Sequence, residues 1–117
     1  MENNRIKRLS GMLGLAMRAG RLVLGTELIR SALPRKGKGA VELVVVSETA
    51  SDSTKETLKK KCAFYGVRII EVAIDMAELG RMLGKTYTPA AVAVTDGGLA
   101  REIARLAELP SADGDSV

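Results

Sequence analysis

Val41-Glu-Leu-Val-Val-Val46, followed by Ser47-Glu-Thr-Ala-Ser-Asp52 and then Ser53-Thr-Lys-Glu56, is the stretch that decides the fold. The first piece is an apolar, β-branched run, the pattern of a strand covered on both faces. After the polar break, Ser53 to Glu56 has the spacing of a capping box, opening a helix with Leu58, Cys62 and Tyr65 as its inward stripe. A strand covered on both faces needs helices on both sides, so this unit argues for a layered α/β protein.

The same alternation extends in both directions. Toward the C-terminus, Gly66 ends the helix and Arg68-Ile-Ile-Glu-Val72 reads as a strand. Asp75-Met-Ala-Glu78 starts another capped helix with Met76, Leu79 and Leu83 inward, closed by Gly84. The loop Lys85-Thr-Tyr-Thr-Pro89 leads into a strand over Ala90–Thr95, and Leu99, Ile103 and Leu106 mark a last helix. Toward the N-terminus, Ile6, Leu9, Leu13, Ala16 and Met17 recur at helical spacing, with Asn3-Asn4 as the expected cap and Gly20 as the end. Arg21-Leu-Val-Leu24 is a short strand, and Thr26 is the expected cap of a helix carrying Leu28, Ile29, Ala32 and Leu33 that Pro34 ends. Residues 34–39 then read as a flexible basic loop. Five helices and four strands predict a three-layer α/β/α sandwich with a small mixed four-stranded sheet, its short first strand at an edge. A single domain over 1–109 with a flexible C-terminal tail over 110–117 is expected.

Composition narrows the chemistry. The 117 residues include no His and one Cys, which removes an imidazole base, a His-supported nucleophile, a His-ligated zinc and an internal disulfide. No apolar run approaches a membrane span, and the N-terminus opens a charged amphipathic stretch, not a signal peptide. A cytoplasmic, monomeric protein with no cofactor, no metal and no membrane partner is expected.

Three motifs fall short. Gly80-Arg-Met-Leu-Gly84-Lys85-Thr86 ends like a phosphate loop, but it has three residues between its glycines where the motif needs four, and it closes a helix. Thr95-Asp-Gly-Gly98 joins a strand to a helix without the full dinucleotide fingerprint. Cys62 sits on an apolar stripe beside Lys59-Lys-Lys61 but has no His partner. The carboxylates are scattered over caps and helix surfaces.

Charge is the remaining signal. Residues 1–40 hold nine Lys/Arg and two acids, a net +7, whereas residues 41–117 hold nine and twelve, a net −3. Arg18, Arg21, Arg30, Arg35, Lys36 and Lys38 surround the short strand, the Gly25-Thr26 helix start and the Gly-rich loop, so cations and free amide donors are expected on one side of the molecule. Nucleic acid is the partner this suits. With three aromatic residues in the chain, base stacking on a sheet is a poor fit, and backbone and shape readout of structured RNA is the better one.

The order and spacing of several stretches resemble the kink-turn RNA-binding ribosomal protein family of the L-seven-Ae/L-thirty-e type, in its bacterial YlxQ-like branch. These stretches are Leu13-Gly-Leu-Ala-Met-Arg-Ala-Gly-Arg-Leu-Val-Leu-Gly-Thr26, Val44-Val-Val-Ser-Glu-Thr-Ala-Ser51, Ser53-Thr-Lys, Lys61-Cys, Tyr65-Gly-Val67, Leu79-Gly80, Leu83-Gly-Lys85 and Val92-Ala-Val-Thr-Asp96. The resemblance implies a sandwich whose three loops, at Gly25-Thr26, Ser47–Ser51 and Thr86–Pro89, grip a sharply bent RNA. Gly25 and Thr26 would offer backbone donors, Glu27 and Glu48 would touch bases or ribose, and Thr88 and Pro89 would form the third wall. In the family's best-known kink-turn binders an Asn stands where Glu27 is, a Glu where Leu28 is and a Lys where Ser31 is, with Arg30 as the cation nearest that last place. A non-catalytic RNA-binding protein is the leading expectation. The alternatives are an adaptor on the same scaffold that docks on ribosomal proteins or processing factors, and a small phosphate-handling enzyme or nucleotide binder using Gly84-Lys85-Thr86 or Gly97-Gly98.

Overall fold

The computed structural model describes residues 2–108; the expected tail over 110–117 lies outside the described residues. The elements are α1 (Glu2–Arg18), β1 (Leu22–Leu24), α2 (Thr26–Ala32), β2 (Leu43–Ser47), α3 (Asp52–Tyr65), β3 (Arg68–Val72), α4 (Met76–Met82), β4 (Ala91–Val94) and α5 (Gly97–Glu108). The sheet order is β1-β4-β2-β3, with β2 parallel to β3 and β4 antiparallel to both β1 and β2. It is the mixed four-stranded sheet expected, and the short first strand lies at its edge.

Alternation along β2 explains the layers. Leu43 and Val45 join Ile70, Val72, Val92 and Val94 in a core under α1, α4 and α5, while Val44 and Val46 join Ala91 and Ala93 in a core under α2 and α3. All five β2 residues are buried, as a doubly covered strand requires. The result is the α/β/α sandwich, with cores on both faces of the sheet.

The differences from the sequence reading lie at element ends. Helix α1 already runs at Glu2, so Asn3 and Asn4 are first-turn residues and not caps. The cap of α3 is Ser51, whose Oγ accepts from Thr54 N at 3.1 Å, two residues before the expected box at Ser53. The Ser-x-x-polar spacing is the same, but the tight turn out of β2 brings the helix start forward. Leu58 and Cys62 face the core, whereas Tyr65 is exposed, lying in the last turn beside the left-handed Gly66. Asp75 caps α4 as expected, and Asp96 Oδ2 accepts from Leu99 N at the start of α5.

Candidate nucleic-acid interface

Strand directions decide which loops meet. Because β4 is antiparallel to β1 and β2, the chain leaves β1 and β2 at the end where it enters β4, and parallel β3 exits there too. Backbone bonds tie these exits together. Gly25 N–H donates to Ala91 O at 3.1 Å, Ser47 N–H to Ala90 O at 2.8 Å, and Glu48 N–H to Val72 O at 3.0 Å. The Gly25-Thr26 turn, the Ser47–Ser51 segment and the loop before β4 therefore share one end of the sheet.

At the first loop the cap of α2 is Gly25, not Thr26, and no side chain caps the helix. Gly25 has φ 90° and ψ 152°, a region open essentially to glycine alone, which turns β1 into α2 without an intervening loop. Its own N–H is spent on Ala91, so the orphan donors of this helix start are the amides of the first turn, from Thr26 onward. Thr26 is half-buried, and Glu27, Arg30 and Ser31 are exposed along α2. Arg30 NH1 bonds Glu27 Oε1 at 3.2 Å.

A hydroxyl pair that the sequence reading missed organises the second loop. Ser47, fully buried, donates from Oγ to Ile74 O at 2.6 Å and accepts from Thr49 N at 3.2 Å. Its single proton being spent, the 3.1 Å contact with Thr49 Oγ1 has Thr49 as donor. Thr49 Oγ1 in turn accepts from Met76 N at 2.9 Å, joining this loop to the start of α4. Glu48 is exposed, and its carbonyl accepts from Lys55 Nζ at 2.7 Å while that ammonium also meets Glu71 at 3.2 Å. No local pattern marks these partners, which lie 27 and 16 residues apart.

The third loop folds back along α4. Lys85 N–H donates to Gly80 O, Pro89 is buried, and Tyr87 and Thr88 are exposed. Gly80 is buried in α4 and closes nothing; Gly84, with φ 69°, has that duty.

The expected concentration of cations at this end is not what the fold produces. Helix α2 carries the chain away from the three loops, about 10 Å over its seven residues. Lys36 and Lys38 therefore stand at the opposite end of the sheet, as do Arg18 in the last turn of α1 and Arg21, whose carbonyl accepts from Thr95 N. Arg5 lines a cleft beside Val72–Ile74, at the outer side of the loop end. Next to the loops stand Glu27, Glu48, Asp52, Glu71 and Asp75, against the ion-paired Arg30 and Lys55 and against Lys85 at the start of the third loop. Of the six cations that surround the Gly25-Thr26 turn in the sequence, Arg30 is the one on the loop side.

The buried Cys62 thiol is pushed up to about 11 by desolvation, which removes it as a nucleophile. Among the described residues no helix is long and apolar enough to cross a membrane.

The fold and its loops define a compact α/β/α sandwich with three connections clustered at one end. The chain belongs to the Ribosomal protein L7Ae/L30e/S12e/Gadd45 family, whose pattern matches residues 7–104. It is 35% identical over 107 residues to RNA-binding protein YlxQ of Enterococcus faecium, covering 92% of this chain and 97% of that one. It is 36% identical over 95 residues to RNA-binding protein YlxQ of Bacillus subtilis, covering 81% and 90%. A protein of unknown function from Bacillus halodurans superposes with a TM-score of 0.75 at 36% identity, covering 86% and 96%. The Giardia lamblia 15.5kD RNA binding protein shares the fold, with a TM-score of 0.71 at 18% identity, covering 90% and 88%.

Proposed function

We propose that this chain is a non-catalytic, cytoplasmic RNA-binding protein that recognises a structured, bent RNA at the three-loop end of its sheet through backbone and shape contacts. The observation that carries the reading is the joining of the three loops by Gly25–Ala91, Ser47–Ala90 and Ser47–Ile74 hydrogen bonds, in a family whose bacterial relatives are named for RNA binding. First-turn amides of α2 take phosphate, Arg30 supplies the nearest cation, Glu27, Ser31 and Glu48 face bases or ribose, and Thr88 on the base made by Pro89 walls the site. A single domain over 1–109 suffices for this. The test compares a kink-turn RNA with a straight duplex of equal length by fluorescence anisotropy. Preference for the bent RNA and weaker binding by Arg30→Ala are expected; equal affinity for both RNAs overturns the reading.

A second reading is favoured by one observation. Leu28, in the first turn of α2, is 61% exposed at the loop end, an apolar side chain suited to a protein partner. In this reading the scaffold is an adaptor for ribosomal proteins or processing factors. Pull-down with and without nuclease separates the two, since an adaptor keeps its partner after digestion.

A further inference from the structure

We propose that the end of the sheet opposite the three loops is a second RNA surface, where Arg18, Arg21, Arg35, Lys36, Lys38 and Arg101 bind the phosphate backbone of an RNA duplex. The proposal takes the partner's class from the reading above but uses none of the three loops.

Three separate segments deliver these cations to one rim. The end of α1 and its link to β1 bring Arg18 and Arg21, the α2–β2 connection brings Arg35, Lys36 and Lys38, and the second turn of α5 brings Arg101. Backbone bonds set the rim: Thr95 N–H donates to Arg21 O at 2.9 Å, and Glu42 N–H to Val94 O at 2.8 Å. Arg101 and Glu42 line one shallow hollow together with Gly97. All six cations are exposed, and none forms an ion pair with a described residue. The carboxylates of these segments are Glu42, Asp96 and Glu102; Asp96 Oδ2 already accepts from Leu99 N at 2.8 Å, and Glu102 is paired with Arg105. The contrast with the loop end, where five acids outnumber the cations and Arg30 and Lys55 are both paired, is what marks this pole.

A like-charged cluster repels itself and gains most from a polyanion. The four strands span about 14 Å, and a nucleic-acid duplex carries a charge about every 1.7 Å of its axis, so the rim meets several phosphates at once. The cation-bearing segments 18–21, 35–42 and 96–101 contain no aromatic side chain, and the exposed Phe64 and Tyr65 at this end belong to α3, so the contact these segments offer is to phosphate and not to a base face. The protein would then hold a bend at one end and a neighbouring stem at the other.

The probe is a straight, blunt-ended RNA duplex without bulge or bend, titrated by anisotropy against the full chain between 50 and 200 mM KCl, roughly the range over which phosphate contacts are read from salt dependence. The triple variant Arg35→Gln/Lys36→Gln/Lys38→Gln, on an exposed loop, should lose about tenfold or more in affinity and make the salt slope shallower by about two to three. Arg18→Gln/Arg21→Gln should do the same from the other side of the rim. Amide NMR shifts on adding the duplex should fall on residues 20–22 and 35–42. Wild-type affinity in both variants, or no duplex binding by the wild type, overturns the proposal. Absence of a bent-RNA preference overturns the loop-end reading instead and leaves this one standing.

Discussion

A Cβ placed on Gly80 would lie 2.5 Å from the carbonyl oxygen of Tyr87 and 3.4 Å from Pro89 Cδ. The third loop is therefore laid against α4 at a spot that only a glycine leaves open. Gly80→Ala gains about 1 kcal/mol of helix propensity but meets backbone, and overpacking of that kind costs about 1–3 kcal/mol. The clash wins, because a backbone carbonyl laid against the helix cannot rotate away as a side-chain tip can. Thermal unfolding should show Gly80→Ala destabilised by a few degrees and its bent-RNA affinity reduced. Gly11→Ala in α1, with nothing within 4 Å, should instead be stabilised by up to about 1 kcal/mol. Equal stability gains at both positions would mean that the loop yields freely.

Ser47→Ala should be costly for its size. It leaves the Ile74 carbonyl without its partner in a buried setting and the Thr49 N–H without its partner in a half-buried one, together worth about 1–3 kcal/mol. Hydrogen exchange should accelerate at Thr49 and Met76, while β4 keeps its protection. Unchanged exchange at Thr49 would show that the hydroxyl pair does not hold the second loop.

The contrast between what the sequence disclosed and what it hid follows from range. The Val44–Val46 run, the Asp75 cap and the Gly66 stop act within a few residues, and each element they announce is present. The shift from Ser53 to Ser51 is a choice between two similar local caps that only the length of the β2 exit decides. The site is different. Ser47 reaches Ile74 and Gly80 receives the 87–89 loop through packing, with no periodic signal to expose either. The +7 of the first third is a statement about the chain, and the directions of β1 and α2 put Arg18, Arg21, Arg35, Lys36 and Lys38 at the end of the sheet opposite the Gly25-Thr26 turn.

Cys62 should resist modification. Its thiol is buried and desolvated, so labelling by iodoacetamide at pH 8 should track global unfolding and not the native rate of a free thiol. The same burial links folding to pH. The unfolded thiol ionises near 9, whereas the folded one stays protonated to about 11, so the stability tied to this group is fully present below pH 9 and declines as pH rises from 9 to 11. Cys62→Ser removes that component of the alkaline slope in urea titrations at several pH values. An identical slope in the variant would refute it.

Glu27 and Arg30 face solvent on α2, with side chains 88% and 46% exposed and 3.2 Å between their charged atoms. A pair this open contributes little to folding, so Glu27→Gln should change stability by less than about 0.5 kcal/mol. Its effect on RNA should be larger. The carboxylate both repels phosphate and occupies the nearest cation of the loop end, and two unit charges about 4 Å apart in water interact by about 1 kcal/mol. Glu27→Gln should thus raise affinity for a bent RNA roughly fivefold and steepen the salt slope by about 0.9, one added phosphate. Arg30→Ala should lower affinity, and the gain from Glu27→Gln should shrink in the double variant, because part of that gain passes through the freed guanidinium. A fall in affinity on Glu27→Gln would instead show that a bond the carboxylate accepts from a base or ribose outweighs its repulsion of phosphate.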